Sequence, residues 1–420
     1  MTKALPQAPP QAPKLGSARL LFLLGPAFVA AIAYVDPGNV AANLTSGAKF
    51  GYLLVWVLVT ANLMAMMIQY QSAKLGLVTG KSLPELLGER LRPAARRAFW
   101  LQAELTAMAT DLAEVIGGAI ALNLLFQLPL PLGGLIVGLI SMAMLAVQNR
   151  YGQRRFESVI VFLLLVITIG FLFGLVVNPP DAGEASAGLL PRFDGSESVL
   201  LAASMLGATV MPHAIYLHSA LARDRHRPAG TEEPTASGLR QLVKATRFDV
   251  VIALLLAGTV NIGMLLLAAS TLRGVDGTDT IEGAHQAISF SLGPAVGVVF
   301  GIGLLASGLA STSVGCYAGA TVMSGLLTFR VPLLLRRVIS LIPALLLLIA
   351  GVDPTWALVI SQMALSFGIP FALFPLLRLT SNRKLMGEYR DGLALRLASI
   401  CSAILIIVLN LALVWLTIAG

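Results

Sequence analysis

The sequence predicts an all-helical protein that crosses a membrane many times, and three observations carry that prediction. Of its 420 residues, 57% are hydrophobic and only 12% charged, against about 25% charged in ordinary soluble domains; mean hydropathy is +0.84. Apolar stretches long enough to cross roughly 30 Å of hydrocarbon recur at 20–46, 50–73, 98–126, 131–147, 156–177, 198–222, 248–270, 287–329, 331–351, 355–377 and 397–418, which makes eleven spans. The longest of these must tilt strongly or extend beyond the bilayer. Finally, the basic residues segregate. With the N-terminus in the cytoplasm, Lys3, Lys14, Arg19, the 74–97 loop, the 150–155 turn, the 223–247 loop, Arg330, Arg336, Arg337 and the 378–396 segment fall inside. Together they hold 26 of the 29 basic residues and leave only Lys49, Arg192 and Arg273 outside. This positive-inside bias predicts a multi-pass protein of the cell membrane with a cytoplasmic N-terminus and an extracytoplasmic C-terminus.

The same composition excludes other classes. A net charge of +8 is accounted for by cytoplasmic loops beside anionic membrane lipid, so no nucleic-acid partner is implied. The outer loops hold Asp181, Glu184, Asp194, Glu197, Asp276, Asp279, Glu282 and Asp353, an anionic face that concentrates cations. Cys316 and Cys401 are too few for a disulfide framework and read as small core residues. Residues 1–18, rich in Pro, Ala and Gln, lack a charged segment followed by an apolar core, and read as a disordered cytoplasmic tail. No nucleotide-binding glycine loop occurs, so an ion gradient is the expected energy source, and no His-Glu-x-x-His pattern marks a metalloprotease.

Two spans are broken. Asp36-Pro37-Gly38-Asn39 interrupts the first and Met211-Pro212-His213 the sixth, and proline removes a backbone donor, so each break frees carbonyls at mid-membrane. Breaks in spans one and six divide the chain into 19–180 (spans one to five), 196–380 (spans six to ten) and 391–420 (span eleven). Five spans per unit force the second unit to insert upside down, and paired broken helices in inverted repeats point to a midplane substrate site. A lone carboxylate there costs roughly 2.5–3.5 kcal/mol on insertion scales, so Asp36 calls for a cation. Asn39 adds an amide oxygen, Met211 a thioether, and Ala33 and Ala208 backbone carbonyls. That mixture of hard and soft donors suits a transition-metal dication better than Mg²⁺ or Ca²⁺. Gln362, in Ser361-Gln362-Met363 of the tenth span, can join the set.

The third span carries Glu104, Asp111 and Glu114, which at 3.6 residues per turn fall within about 80° on one helix face. Buried carboxylates aligned in this way can relay protons. His213 stands beside the candidate ligand Met211, and Arg336 or Arg337 can supply the countercharge. His218 and the serines of the eighth span read as packing residues.

Asp36-Pro37-Gly38-Asn39, Met211-Pro212-His213 with Tyr216-Leu217-His218-Ser219, and Tyr317-Ala318-Gly319 followed by Val322-Met323-Ser324-Gly325 resemble the signatures of the Nramp family of divalent-metal transporters, from about residue 20 to the C-terminus. The resemblance implies a LeuT-type fold and proton-coupled import of Mn²⁺ and Fe²⁺, with Co²⁺ and Cd²⁺ as further candidates, by alternating access in a monomer without a prosthetic group. It assigns metal binding to Asp36, Asn39 and Met211, a polar proton network to Glu104, Asp111, Glu114, His213 and Arg337, and the tenth-span glutamine to Gln362. Ala214 and Leu309-Ala310 depart from the family's polar residues at those places.

Overall fold

The computed structural model describes residues 25–227, 234–278, 280–327 and 332–419. The tail at 1–18, Arg19, Asp279 and Arg330 lie outside the described residues. Every regular element among those described is helical.

The broken first span is α1 (Pro26–Ile32) and α2 (Pro37–Phe50), followed after the Gly51 turn by α3 (Val55–Thr79) and a short α4 (Leu83–Arg90). Ser82 caps α4 in a reciprocal pair with Glu85, which holds this connecting helix in register. Next come α5 (Pro93–Phe126), α6 (Leu130–Tyr151), α7 (Gln153–Val177) and the short α8 (Ala182–Ala187). The broken sixth span is α9 (Gly195–Thr209) and α10 (Pro212–His226), and it leads to α11 (Ala236–Thr271), α12 (Ile281–Leu292) and α13 (Pro294–Leu326). The chain closes with α14 (Leu333–Ile349), α15 (Pro354–Thr380), the single turn α16 (Arg383–Met386) and α17 (Leu393–Ala419).

Seven helical segments among the described residues are long and apolar enough to cross a membrane: those of α5, α7, α9 with α10, α11, α13, α15 and α17. The other four predicted spans coincide with helices that are broken (α1 and α2), polar inside (α3), or short (α14, and the Leu130–Ala146 part of α6). The 287–329 stretch is not one tilted span. Gly293, at φ 101°, ends α12, and Pro294 starts α13, so a left-handed glycine and an N1 proline punctuate a run that hydropathy alone joins.

A continuous apolar core runs between α1, α2, α5, α7, α10, α11 and α13. Three residues counted with the inner basic set are buried instead: Lys74, Arg336 and Arg337. Lys74 of α3 pairs with Asp391, whose second oxygen accepts from Gln71 at 2.8 Å, and Ser399 of α17 donates to Gln71 at 3.2 Å. That network fastens the last span to the bundle. At the start of the first broken span, α1 has no side-chain cap of its own; Asp249 of α11 accepts from the backbone N–H groups of Gly25 and Ala27 at 3.3 and 3.1 Å and so satisfies orphan donors of the first turn.

Candidate functional site

Each break has the same cause. In an unbroken helix the carbonyl of Ala33 would accept from residue 37 and that of Ala208 from residue 212, but both donors are prolines. The chain therefore leaves the helix between Ile32 and Pro37 and again at Val210–Met211. Asp36 becomes the N-cap of α2 and accepts from the Asn39 backbone at 2.8 Å. Met211, in extended backbone, starts α10 and is fully buried.

Side chains from other helices hold the opened backbone. Asn261 of α11 donates to the Tyr34 carbonyl at 2.5 Å and Ser307 of α13 to the Val35 carbonyl at 2.5 Å. The Tyr34 hydroxyl accepts from Gln69 at 2.6 Å, and the Gln69 carbonyl oxygen faces His218 Nδ1 at 2.8 Å. Sequence reasoning missed Asn261, Gln69 and Tyr34 and assigned His218 and Ser307 to packing. Buried polar residues inside apolar spans were the available signal.

Around Asp36 the geometry is specific. The Asn39 amide nitrogen donates to Asp36 Oδ1 at 2.5 Å and to the Ala208 carbonyl at 2.9 Å, so the carboxylate and a carbonyl from the other break converge on one donor. The Gln362 amide approaches Asp36 Oδ2 at 3.3 Å. Both amides leave their own oxygens, Asn39 Oδ1 and Gln362 Oε1, buried without a partner among the described residues, an arrangement that costs free energy unless a cation arrives. Gly38 is required for the approach, because a Cβ there would lie 1.6 Å from the Gln362 amide nitrogen. Ala33 and Met211 belong to the same buried cluster that encloses Val35. Asp36, Asn39 and Met211 have no solvent exposure. Among the described residues no three His, Cys, Asp or Glu side chains converge; the donors are one carboxylate, amides, carbonyls and a thioether.

The acids of α5 are held differently from Asp36. Glu104 pairs with Arg336 at 2.7 Å and Asp111 with Arg337, which also donates to Ser141 at 2.7 Å. Glu114 is fully buried, and neither of its carboxylate oxygens has a partner among the described residues. His213 Nδ1 lies 3.4 Å from the Thr110 hydroxyl, while Nε2 is buried and has no partner among the described residues. Cys316 does not sit in purely apolar surroundings: its carbonyl accepts from Arg336 at 3.1 Å.

A family model described as natural resistance-associated macrophage protein-like matches residues 27–416. The chain belongs to the Nramp family. A relative from Mycobacterium tuberculosis named divalent metal cation transporter MntH is 57% identical over 399 residues, 95% of this chain and 92% of that protein. The Eremococcus coleocola manganese transporter superposes with a TM-score of 0.85 at 30% identity, over 96% of this chain and 88% of the other. MhsT, solved with L-phenylalanine, superposes at a TM-score of 0.63 with 14% identity, over 92% of this chain and 98% of the other, a likeness of fold alone. This Nramp chain therefore has the LeuT-type fold of a multi-pass membrane protein.

Proposed function

We propose that the protein is a secondary active importer that carries Mn²⁺, Fe²⁺ and related divalent transition-metal ions across the cell membrane together with protons. The observation that carries this reading is the pair of amide nitrogens on Asp36, each with its own oxygen buried and idle. A dication at the point where Asp36 Oδ1 and the Ala208 carbonyl meet replaces the Asn39 donor. Turning the amide then brings Asn39 Oδ1 into the coordination set, and the same rotation serves Gln362 Oε1. Met211 and the Ala33 carbonyl complete a set in which the sulfur favours Mn²⁺ and Fe²⁺ over Ca²⁺.

Protons accompany the metal along Glu114, Asp111 and Glu104, with His213 beside the metal site. Two inverted repeats, 19–180 and 196–380, alternate access around the buried ion, and 391–420 braces them. The charge pattern supports a cytoplasmic N-terminus, and one chain holds every named ligand, which supports a monomeric unit. The Mycobacterium tuberculosis relative is named a divalent metal cation transporter and the Eremococcus coleocola protein a manganese transporter, which supports the metal part of this reading.

Proteoliposomes with an internal pH dye provide the test. Saturable Mn²⁺ uptake accompanied by internal acidification is expected; uptake without acidification removes proton coupling, and absence of flux overturns the assignment.

A further inference from the structure

A cleft of about 490 Å³ lies between α15 and α17, and none of the residues named around Asp36 lines it. One end is polar and basic, formed by Arg378, Ser381, Asn382 and Arg396, and the remaining wall is apolar and includes Phe374 and Ile404. Phe374 and Ile404 are exposed, 52% and 56%, on helices long and apolar enough to span the bilayer.

The arginines are also free. Arg336 and Arg337 are committed to Glu104 and Asp111, and Arg223 to Glu85, but among the described residues neither Arg378 nor Arg396 enters an ion pair. Among the described residues no carboxylate lines the cleft, and Asp391, the nearest acid in sequence to Arg396, is taken by Lys74 and Gln71. The 378–396 segment adds Arg383, Lys384 and Arg390 against Glu388 and Asp391. A basic rim above an apolar, lipid-facing wall is complementary to one kind of occupant: a phosphate headgroup at the interface with its acyl chain along the helices.

We infer that this cleft is a binding site for an anionic phospholipid of the leaflet that the positive-inside pattern places on the cytoplasmic side, with the phosphate held by Arg378 and Arg396. The inference depends on membrane embedding and not on the metal assignment. The occupant would bridge α15, which carries Gln362, to α17, which is already tied to α15 by Asn410 donating to the Ser366 carbonyl at 2.8 Å.

The test is retention of phosphatidylglycerol by the full-length protein in nanodiscs that mix phosphatidylglycerol with phosphatidylcholine, read by native mass spectrometry. The wild-type chain is compared with Arg378→Gln/Arg396→Gln and with a control on the same segment, Arg383→Gln/Lys384→Gln. Selective retention of phosphatidylglycerol by the wild type, reduced roughly 30-fold in the first variant and little changed in the control, is the expected result. Equal losses in the two variants would show a diffuse surface potential and overturn the site. Displacement of the lipid by soluble glycerophosphate would reassign the rim to free phosphate, and absence of selectivity in the wild type would also refute the inference. Unchanged thermal unfolding of each variant in phosphatidylcholine alone separates lost binding from lost folding.

Discussion

The polar groups around Asp36 and those between α5 and α14 solve the same problem in opposite ways. Both are largely shielded from solvent, yet Glu104 and Asp111 each have a guanidinium partner, whereas Asp36 is held by the amides of Asn39 and Gln362 and by the backbone N–H of Asn39. Fixed pairs leave little net charge for a mobile cation to neutralise. A carboxylate held by neutral donors, with amide oxygens idle beside it, keeps its attraction for an ion that can come and go. Glu114 goes further than either: it is fully buried, as Asp36 is, and neither of its carboxylate oxygens accepts a hydrogen bond among the described residues.

The comparison is broken most severely at Asp36. Asp36→Ala removes the only charge from the proposed ligand set, and Mn²⁺ uptake into proteoliposomes falls by more than about 100-fold, beyond the 10–100-fold typical of losing an outer partner of a metal site. Fold and expression survive, because α2 retains Pro37 at its first turn. Arg337→Met has the opposite profile. It strands Asp111 in the core, and unpairing a buried ion pair costs about 3–5 kcal/mol, seen as a lower unfolding temperature in lipid nanodiscs. The double variant Asp111→Leu/Arg337→Met recovers most of that stability without recovering proton-coupled uptake. Recovery of both would show that the pair is structural only.

How much of this was legible depended on whether the signal was local. Asp36, Asn39, Met211 and Gln362 stand out in the sequence as candidates, because a carboxylate, amides and prolines inside apolar runs have few innocuous explanations. The carbonyls of Ala33 and Ala208 followed from the prolines four residues on. Asn261 and Ser307 did not, since the carbonyls they hold lie 227 and 272 residues away in the chain and no local pattern marks an asparagine or serine as a clamp. The division of 287–329 into α12 and α13 was written in Gly293-Pro294, but a hydropathy window averages over such punctuation. Charge counting placed Lys74, Arg336 and Arg337 on the inner side but carried no information about burial; the acids of the third span pointed to Arg336 or Arg337 as countercharge, whereas nothing local paired Lys74 with Asp391.

A smaller effect sharpens the chemistry of the site itself. Met211→Ala leaves Asp36, Asn39 and both carbonyl groups in place, so Mn²⁺ uptake persists. What disappears is the donor that discriminates against hard ions. Ca²⁺ then competes with Mn²⁺ about tenfold more effectively, the weight of 1.4 kcal/mol of differential affinity, measured as Ca²⁺ inhibition of initial uptake rates. Unchanged Ca²⁺ inhibition would mean that selectivity resides in cavity size and not in the sulfur.

The smallest effect is expected where the same chemistry meets water. Lys49 and Glu197 pair at 2.5 Å, as close as many buried contacts, but their side chains are 40% and 56% exposed, whereas those of Lys74 and Asp391 are 5% and 0% exposed. Distance alone would rank the two pairs together. Burial separates them, because an exposed pair is screened by solvent and salt and is worth about 0–1 kcal/mol, while a buried one leaves an unsolvated charge when either partner is lost. Lys49→Met therefore shifts the unfolding temperature by little, and less still at high salt, whereas Lys74→Met loosens α17 from α3 and lowers it clearly. Equal shifts for the two variants would show that proximity, and not exclusion of water, sets the strength of these pairs. The contrast drawn between Asp36 and the paired acids of α5 would then lose its physical basis.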